Sequence, residues 1–196
     1  MIHLPKGFFM MKRLFVAVKI KAGPDFLNTF YKLKNELEFE KINWVDENNL
    51  HFTLKFLGKT ENSQIDNINY ILEQIATTTQ IMKLDIENLG IFGSRYKPRV
   101  IWAGIASNKP LLELAENVLN KLDEAGFKRD RQNFVPHITL GRIKHIRDKK
   151  HLKKVIDENR TLIQQEEQVK KIYLYESMLK PEGPHYKVVK SFDLQN

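Results

Sequence analysis

Apolar positions change their spacing along the chain, and those changes mark its elements. Residues 14–18 (LFVAV) form a short, unbroken apolar run, which predicts a buried strand. Gly23 and Pro24 interrupt it, and Pro24 suits the first turn of a helix. Phe26, Phe30, Leu33 and Leu37 then recur at helical spacing and predict a one-sided amphipathic helix. Trp44 and Val45 lead through a polar turn at 46–49 into an expected strand over 51–57, which Gly58 should end. Ile65, Ile68, Leu72 and Ile75 predict a second helix, with capping residues at 60–63. Leu84, Ile86 and Leu89 suggest a half-buried third strand.

A Gly- and Pro-bearing joint over 90–98 separates this from a second round. Residues 100–103 (VIWA) read as a strand, and Pro110 opens a helix carrying Leu111, Leu114, Val118 and Leu122. Gly126 is its expected stop. Residues 137–140 form another strand, Leu152, Val155 and Ile156 belong to a basic helix, and Ile172 and Leu174 mark the last strand. Both halves therefore read β-α-β-α-β.

The halves also share a register. His51-Phe52-Thr53-Leu54 returns as His137-Ile138-Thr139-Leu140, 86 residues on. The same offset links Arg13 to Arg99, Ala17 to Ala103 and Ile86 to Ile172. Four landmarks in one register argue for an internal duplication, with lobe halves over about 11–92 and 98–193. The expectation is a bilobed fold within a single domain spanning 11–196, preceded by an N-terminal extension at 1–10. If the lobes pack about a pseudo-two-fold axis, the two copies line opposite walls of one central cleft.

Successive side chains on a strand point to opposite faces. His51 and Thr53 thus share one face while Phe52 and Leu54 anchor the other, and the second copy sorts identically. Two imidazoles presented this way suit a reaction in which one proton is taken and another given. Across a phosphodiester, a neutral histidine would deprotonate an attacking water and a protonated one would protonate the departing ribose oxygen. The threonine hydroxyls would donate to the non-bridging phosphate oxygens.

Composition narrows the partners. The 196 residues carry a formal charge of +8, which favours polyanions such as RNA or phosphorylated metabolites. The absence of cysteine removes disulfides and thiolate chemistry, and is compatible with a reducing cytoplasm. No apolar run approaches the ~18 residues of a membrane span, so no membrane partner is expected. Isolated histidines on separate strands, without a local acidic ligand, do not resemble a zinc site, so neither metal nor cofactor is expected. A serine nucleophile elbow is also missing.

The duplicated motif resembles the 2H phosphoesterase superfamily. Longer stretches narrow the likeness: 13–18 (RLFVAV), 49–58 (NLHFTLKFLG), 98–104 (PRVIWAG), 134–142 (FVPHITLGR) and 175–186 (YESMLKPEGPHY). Together these are similar to the RNA 2′,3′-cyclic phosphodiesterases, also called the 2′-5′ RNA ligase family. The resemblance implies a bilobed α+β fold with antiparallel sheets about a central groove. It implies metal-independent opening of an RNA or nucleotide 2′,3′-cyclic phosphate to a 2′-phosphomonoester. It also implies that His51 is the proton donor, His137 the proton acceptor, and Thr53 and Thr139 the phosphate contacts. Arg142 matches a position where the family commonly has Arg, whereas the first copy has Phe56 there. Two other readings use the same groove: a non-catalytic RNA- or nucleotide-binding module, and 2′-5′ end joining as the reverse reaction. Nothing in the sequence demands more than a monomer.

Several features lie outside the motif. The run 144–154 (KHIRDKKHLKK) reads first as a solvated helix face and second as an RNA-backbone contact. His145 and His151 read as surface residues, and His185 as a bystander first and a rim contact second. Among aromatic residues, Trp44, Trp102 and Phe56 could stack a base, with Trp102 expected in the core and Tyr175 and Tyr186 in the groove.

Overall fold

The computed structural model of the chain describes residues 11–128, 134–180 and 183–196; the extension at 1–10 lies outside the described residues. The element order is β1 (Met11–Lys19), α1 (Pro24–Glu36), β2 (Lys41–Trp44), β3 (His51–Glu61), α2 (Ile65–Ala76), β4 (Met82–Gly93) and β5 (Pro98–Ile105). It continues with α3 (Lys109–Glu124), β6 (His137–His145), α4 (Lys149–Glu158), β7 (Gln164–Val169), β8 (Lys171–Lys180) and β9 (Gly183–Asp193). The strands form one sheet in the order β7-β4-β5-β6-β3-β1-β8-β9, with β2 on the free part of β6. Every named strand pair is antiparallel. The sheet curls into a half-barrel accompanied by four helices, the expected α+β class.

One apolar cluster joins the helices to one face of the sheet. Phe26, Phe30 and Leu33 of α1, Leu72 and Ile75 of α2, Val118 and Leu122 of α3, and Leu152 and Ile156 of α4 all enter it. From the strands come Leu14, Val16 and Val18, Phe52 and Leu54, and Ile138 and Leu140. The unbroken run at 14–18 has a second reason. Phe15 and Ala17 point to the opposite face and bury against Tyr175, so β1 is covered on both sides.

The 86-residue offset maps α1 onto α3, α2 onto α4, β1 onto β5, β3 onto β6 and β4 onto β8. The sequence halves nevertheless interleave in space. β4 pairs with β5 of the second half, and β8 pairs with β1 of the first. Each half thus gives its third strand to the other.

Four local expectations are corrected. Gly58 does not end β3; it takes φ +72° at a bulge opposite Leu14 and Phe15, and the strand runs on to Glu61. The joint over 90–98 is mostly strand, since β4 reaches Gly93 and β5 starts at Pro98. The β-α-β-α-β pattern omits β2, β7 and β9. β2 is four residues long and β7 reads QQEEQV, so neither carries an apolar alternation strong enough to announce a strand. Trp102 is not a core residue. Ile101, Ala103 and Ile105 are buried, and Trp102 alternates to the other face, where it stacks on Phe92 with ring centroids 5.1 Å apart.

The stops and caps follow the sequence more closely. Asn108 caps α3 by accepting from the Leu111 N–H at 2.9 Å. Gly126 takes φ +94° past its end, and the Phe127 N–H returns to the Leu122 carbonyl at 2.8 Å.

Gly90 lies directly across from Trp102 in the β4–β5 ladder, and a Cβ there would sit 2.1 Å from the indole. Gly90→Ala is expected to destabilise the protein by about 1–3 kcal/mol through displacement of that ring. Urea unfolding followed by tryptophan fluorescence measures it; an unchanged midpoint and emission would contradict the placement of Trp102.

Candidate active site

The two repeated strands meet at the centre of the sheet. Phe52 of β3 pairs with Ile138 of β6, both fully buried on the helix-covered face. Counted antiparallel from that pair, His51 is level with Thr139 and Thr53 with His137. The four half-buried side chains therefore share the opposite face, with each histidine beside the other copy's threonine. The expected opposite walls are in fact neighbouring strands of one sheet. Its curl makes their shared face the cleft.

Both imidazoles are held alike. His51 Nδ1 lies 2.6 Å from the Asn49 carbonyl oxygen, and His137 Nδ1 lies 2.7 Å from that of Val135. A carbonyl only accepts, so Nδ1 carries the hydrogen in each ring and Nε2 is left as the nitrogen the backbone does not engage. The two-residue step is the same in both copies.

Their surroundings differ. His51 packs against Phe15 at 5.2 Å and meets the edge of Tyr186 at 5.1 Å, with Tyr175 at 6.3 Å. His137 meets Phe92 edge-on at 4.7 Å, and Phe92 in turn stacks on Trp102. Burial among these rings disfavours the imidazolium and pulls both histidines below their usual pKa; the Asn49 and Val135 carbonyls oppose this, and the positive charge of Arg142 adds to the lowering. A charge on His137 also acts on His51, so the pair is electrostatically linked. Burial pushes the Tyr175 hydroxyl up to about 12 and raises that of Tyr186, so both keep their protons at neutral pH.

Arg142 reaches this group because of a backbone irregularity. Strict alternation from His137 would place residue 142 on the helix-covered face. The β5–β6 ladder skips Leu140 between the Ile101–Gly141 and Trp102–Thr139 pairs, and this bulge reverses the phase. The β1–β3 ladder skips Leu54 between Val16–Lys55 and Ala17–Thr53. The two bulges are 86 residues apart, and the first six residues of β3 and β6 share one burial pattern. Phe56 thereby takes the place in the first copy that Arg142 takes in the second, 6.0 Å from Phe15.

All five residues named from the sequence, His51, Thr53, His137, Thr139 and Arg142, thus come to one face, as do Tyr175 and Tyr186. Trp44 does not; it packs edge-on against Phe30 of α1, 5.8 Å away. His151 Nε2 contacts the Glu36 carbonyl at 3.0 Å between α4 and α1, and His145 and His185 are exposed. Sequence reasoning missed Phe15 and Phe92. The unbroken apolar run hides which way Phe15 points. Asn88, at φ +63° in a bulge between Glu87 and Leu89 and opposite Gly104 and Ala103, shifts the phase of β4 before Phe92.

The family described as AKAP7 2′5′ RNA ligase-like domain matches residues 14–194. A protein of Methanocaldococcus jannaschii named RNA 2′,3′-cyclic phosphodiesterase is 34% identical over 180 residues, covering 92% of this chain and 99% of that one. A crystal structure from Thermus thermophilus superposes with a TM-score of 0.76 at 26% identity, covering 93% of this chain and 98% of that one. Escherichia coli LigT, solved in complex with 3′-AMP, shares the fold with a TM-score of 0.74 at 21% identity over 95% of this chain and 100% of its own. With its matched span, its relatives and its duplicated His-x-Thr pair on one sheet, the chain belongs to the RNA 2′,3′-cyclic phosphodiesterase (2′-5′ RNA ligase) family of the 2H phosphoesterases.

Proposed function

We propose that this chain opens 2′,3′-cyclic phosphates on RNA or nucleotide ends to 2′-phosphomonoesters, with His51 as proton donor and His137 as proton acceptor. The observation that carries the proposal is the matched pair of imidazoles, each with Nδ1 tied to the carbonyl two residues back and Nε2 left for proton exchange. In this reading His137 Nε2 takes a proton from water as the oxygen bonds to phosphorus. The bond from phosphorus to the ribose 3′ oxygen breaks, and His51 Nε2 delivers a proton to that oxygen. Thr53, Thr139 and Arg142 meet the non-bridging oxygens, where charge accumulates. Solvent then resets the two rings. The reaction needs residues of one chain only, which suits a monomer, and a cysteine-free chain suits the cytoplasm. Among the described residues no helix is long and apolar enough to cross a membrane.

A ring lowered by burial is ready to accept a proton at neutral pH but poorly prepared to give one. His51 therefore depends on its substrate. The negative charge of a bound phosphodiester favours the imidazolium and restores the proton that burial and Arg142 disfavour. The same residues catalyse end joining in reverse, and the matched family's description carries that activity in its wording. Product analysis separates the two.

Replacing His51 or His137 with Ala is expected to reduce turnover by about 10²–10⁴-fold each while leaving the circular dichroism spectrum unchanged. A short RNA ending in a 2′,3′-cyclic phosphate should yield a 2′-phosphate in excess chelator. A 3′-phosphate product, or full activity in the double alanine variant, would overturn the assignment.

The pH profile gives a second test. Because kcat/KM reports the free enzyme and both histidines lie below the ordinary value of about 6.5, its optimum should fall below that pH. The optimum of kcat should lie higher, since bound phosphate raises the donor. Arg142→Gln removes a positive charge that disfavours both imidazolium forms, so it should move the kcat/KM optimum upward in pH as well as raise KM. An optimum that stays in place would mean Arg142 does not reach the pair.

A further inference from the structure

Duplication would make the two arms of the cleft alike, yet they carry opposite chemistry. The arm beyond His51 is aromatic, built from Phe15, Tyr175, Tyr186 and the half-exposed Phe56. The arm that β6 forms downstream of Thr139 is cationic. Where β6 runs on past β3, β2 fills the gap, pairing Asn43 with Arg142 and Ile42 with Ile143. Ile42, Trp44 and Ile143 turn toward the core. Lys41, Asn43, Arg142 and Lys144 alternate away from it, and all four are exposed.

No carboxylate pairs with Lys41, Arg142 or Lys144 among the described residues. The nearest in sequence, Glu40, is occupied by the backbone N–H groups of Arg147 and Asp148 at 2.7 and 3.1 Å. The helical part of the basic run is different: Lys153 and Lys154 pair with Asp157 and Glu158 along α4. Part of the charge without an ion pair therefore lies on the cleft face of the β2–β6 ribbon, while Arg147, Lys149 and Lys150 farther along the run also pair with no carboxylate among the described residues. Along β6, two residues advance about 7 Å, the scale of one nucleotide step. Counting from the Val100–Arg142 pair, Pro98 is level with Lys144, and the β4–β5 turn beyond it presents Arg95 over the ring of Tyr96 at 4.6 Å. Tyr96 is 68% exposed, so the turn past Pro98 carries an exposed aromatic ring with Arg95 over one face.

We infer that the β2–β6 ribbon is a track for single-stranded RNA, on which Lys41, Asn43 and Lys144 hold the backbone of the nucleotides preceding the reacting phosphate. The inference rests on the RNA end-processing reading above and deepens it. Arg142 stands where the track meets the site, so the terminal phosphate and the chain behind it are held by one continuous line of donors. The aromatic arm is left for the terminal nucleoside. A mononucleotide cyclic phosphate fills only the site, whereas an oligonucleotide also fills the track.

The test compares a mononucleotide 2′,3′-cyclic phosphate with a pentanucleotide carrying the same end, at several salt concentrations, in the wild-type protein and in Lys41→Gln/Lys144→Gln. The wild type should prefer the pentanucleotide, with kcat/KM falling steeply as salt rises. In the double variant the pentanucleotide-to-mononucleotide ratio should fall roughly 3- to 30-fold. The salt slope for the pentanucleotide should flatten by about 1.4, as two lost phosphate contacts on a single strand require. An unchanged ratio and slope in a variant that unfolds at the wild-type temperature would overturn the track. If the wild type turned over neither substrate, the end-processing reading would fail. Fluorescence anisotropy with a labelled pentanucleotide bearing a 2′-phosphate would still decide the track: salt-sensitive binding lost in the variant supports it, and binding retained overturns it.

Discussion

The site depends on a constraint of phase. Phe52 and Leu54 must enter the same core as Ile138 and Leu140, and a pleated strand then has no choice about where its alternate side chains go. The histidines and threonines stand on the open face because their neighbours are buried. A one-residue slip of either strand would bury an imidazole and expose a phenylalanine or isoleucine. Core packing and catalytic geometry are thus the same requirement seen from two sides of the sheet.

The matched bulges extend that requirement. By skipping Leu54 and Leu140, the chain reverses its phase at matching points of the two copies and brings Phe56 and Arg142 back to the face that bears the histidines. The backbone device is duplicated but the residue it delivers is not. On one side it contributes an aromatic ring to the packing around His51. On the other it contributes a guanidinium whose charge reaches both histidines and Tyr186. A symmetrical frame thereby holds an unsymmetrical site, as general acid–base chemistry needs, since the two imidazoles must differ in protonation when the bond breaks.

Much of this was legible from residue order. The helices announced themselves because each buries one stripe at helical spacing. The repeat announced itself because four landmarks share one offset, and the His-x-Thr pairs because alternation leaves little freedom over four residues. The limits were equally physical. β2 and β7 are short or polar, and they owe their conformation to ladder hydrogen bonds with β6 and β4 rather than to a pattern of their own. Trp102 was misplaced because an apolar stretch does not say which of its faces is covered. Phe92 was missed because the extra residue at Asn88 shifts the phase, which no periodicity carries across. Arg142 could be named from the family likeness, but its approach to the histidines required the bulge at Leu140.

The exchange of third strands between the halves bears on how such a chain could arise. β4 completes the sheet beside β5, and β8 completes it beside β1, so a half-length polypeptide would lack a strand next to its own β1. Two copies of that shorter polypeptide could supply the missing strand to each other, giving a closed pair with a true symmetry axis through the Phe52–Ile138 crossing. Fusion of such a pair would freeze the exchange into one chain. From then on the two copies would be free to diverge, one toward rings and the other toward charge.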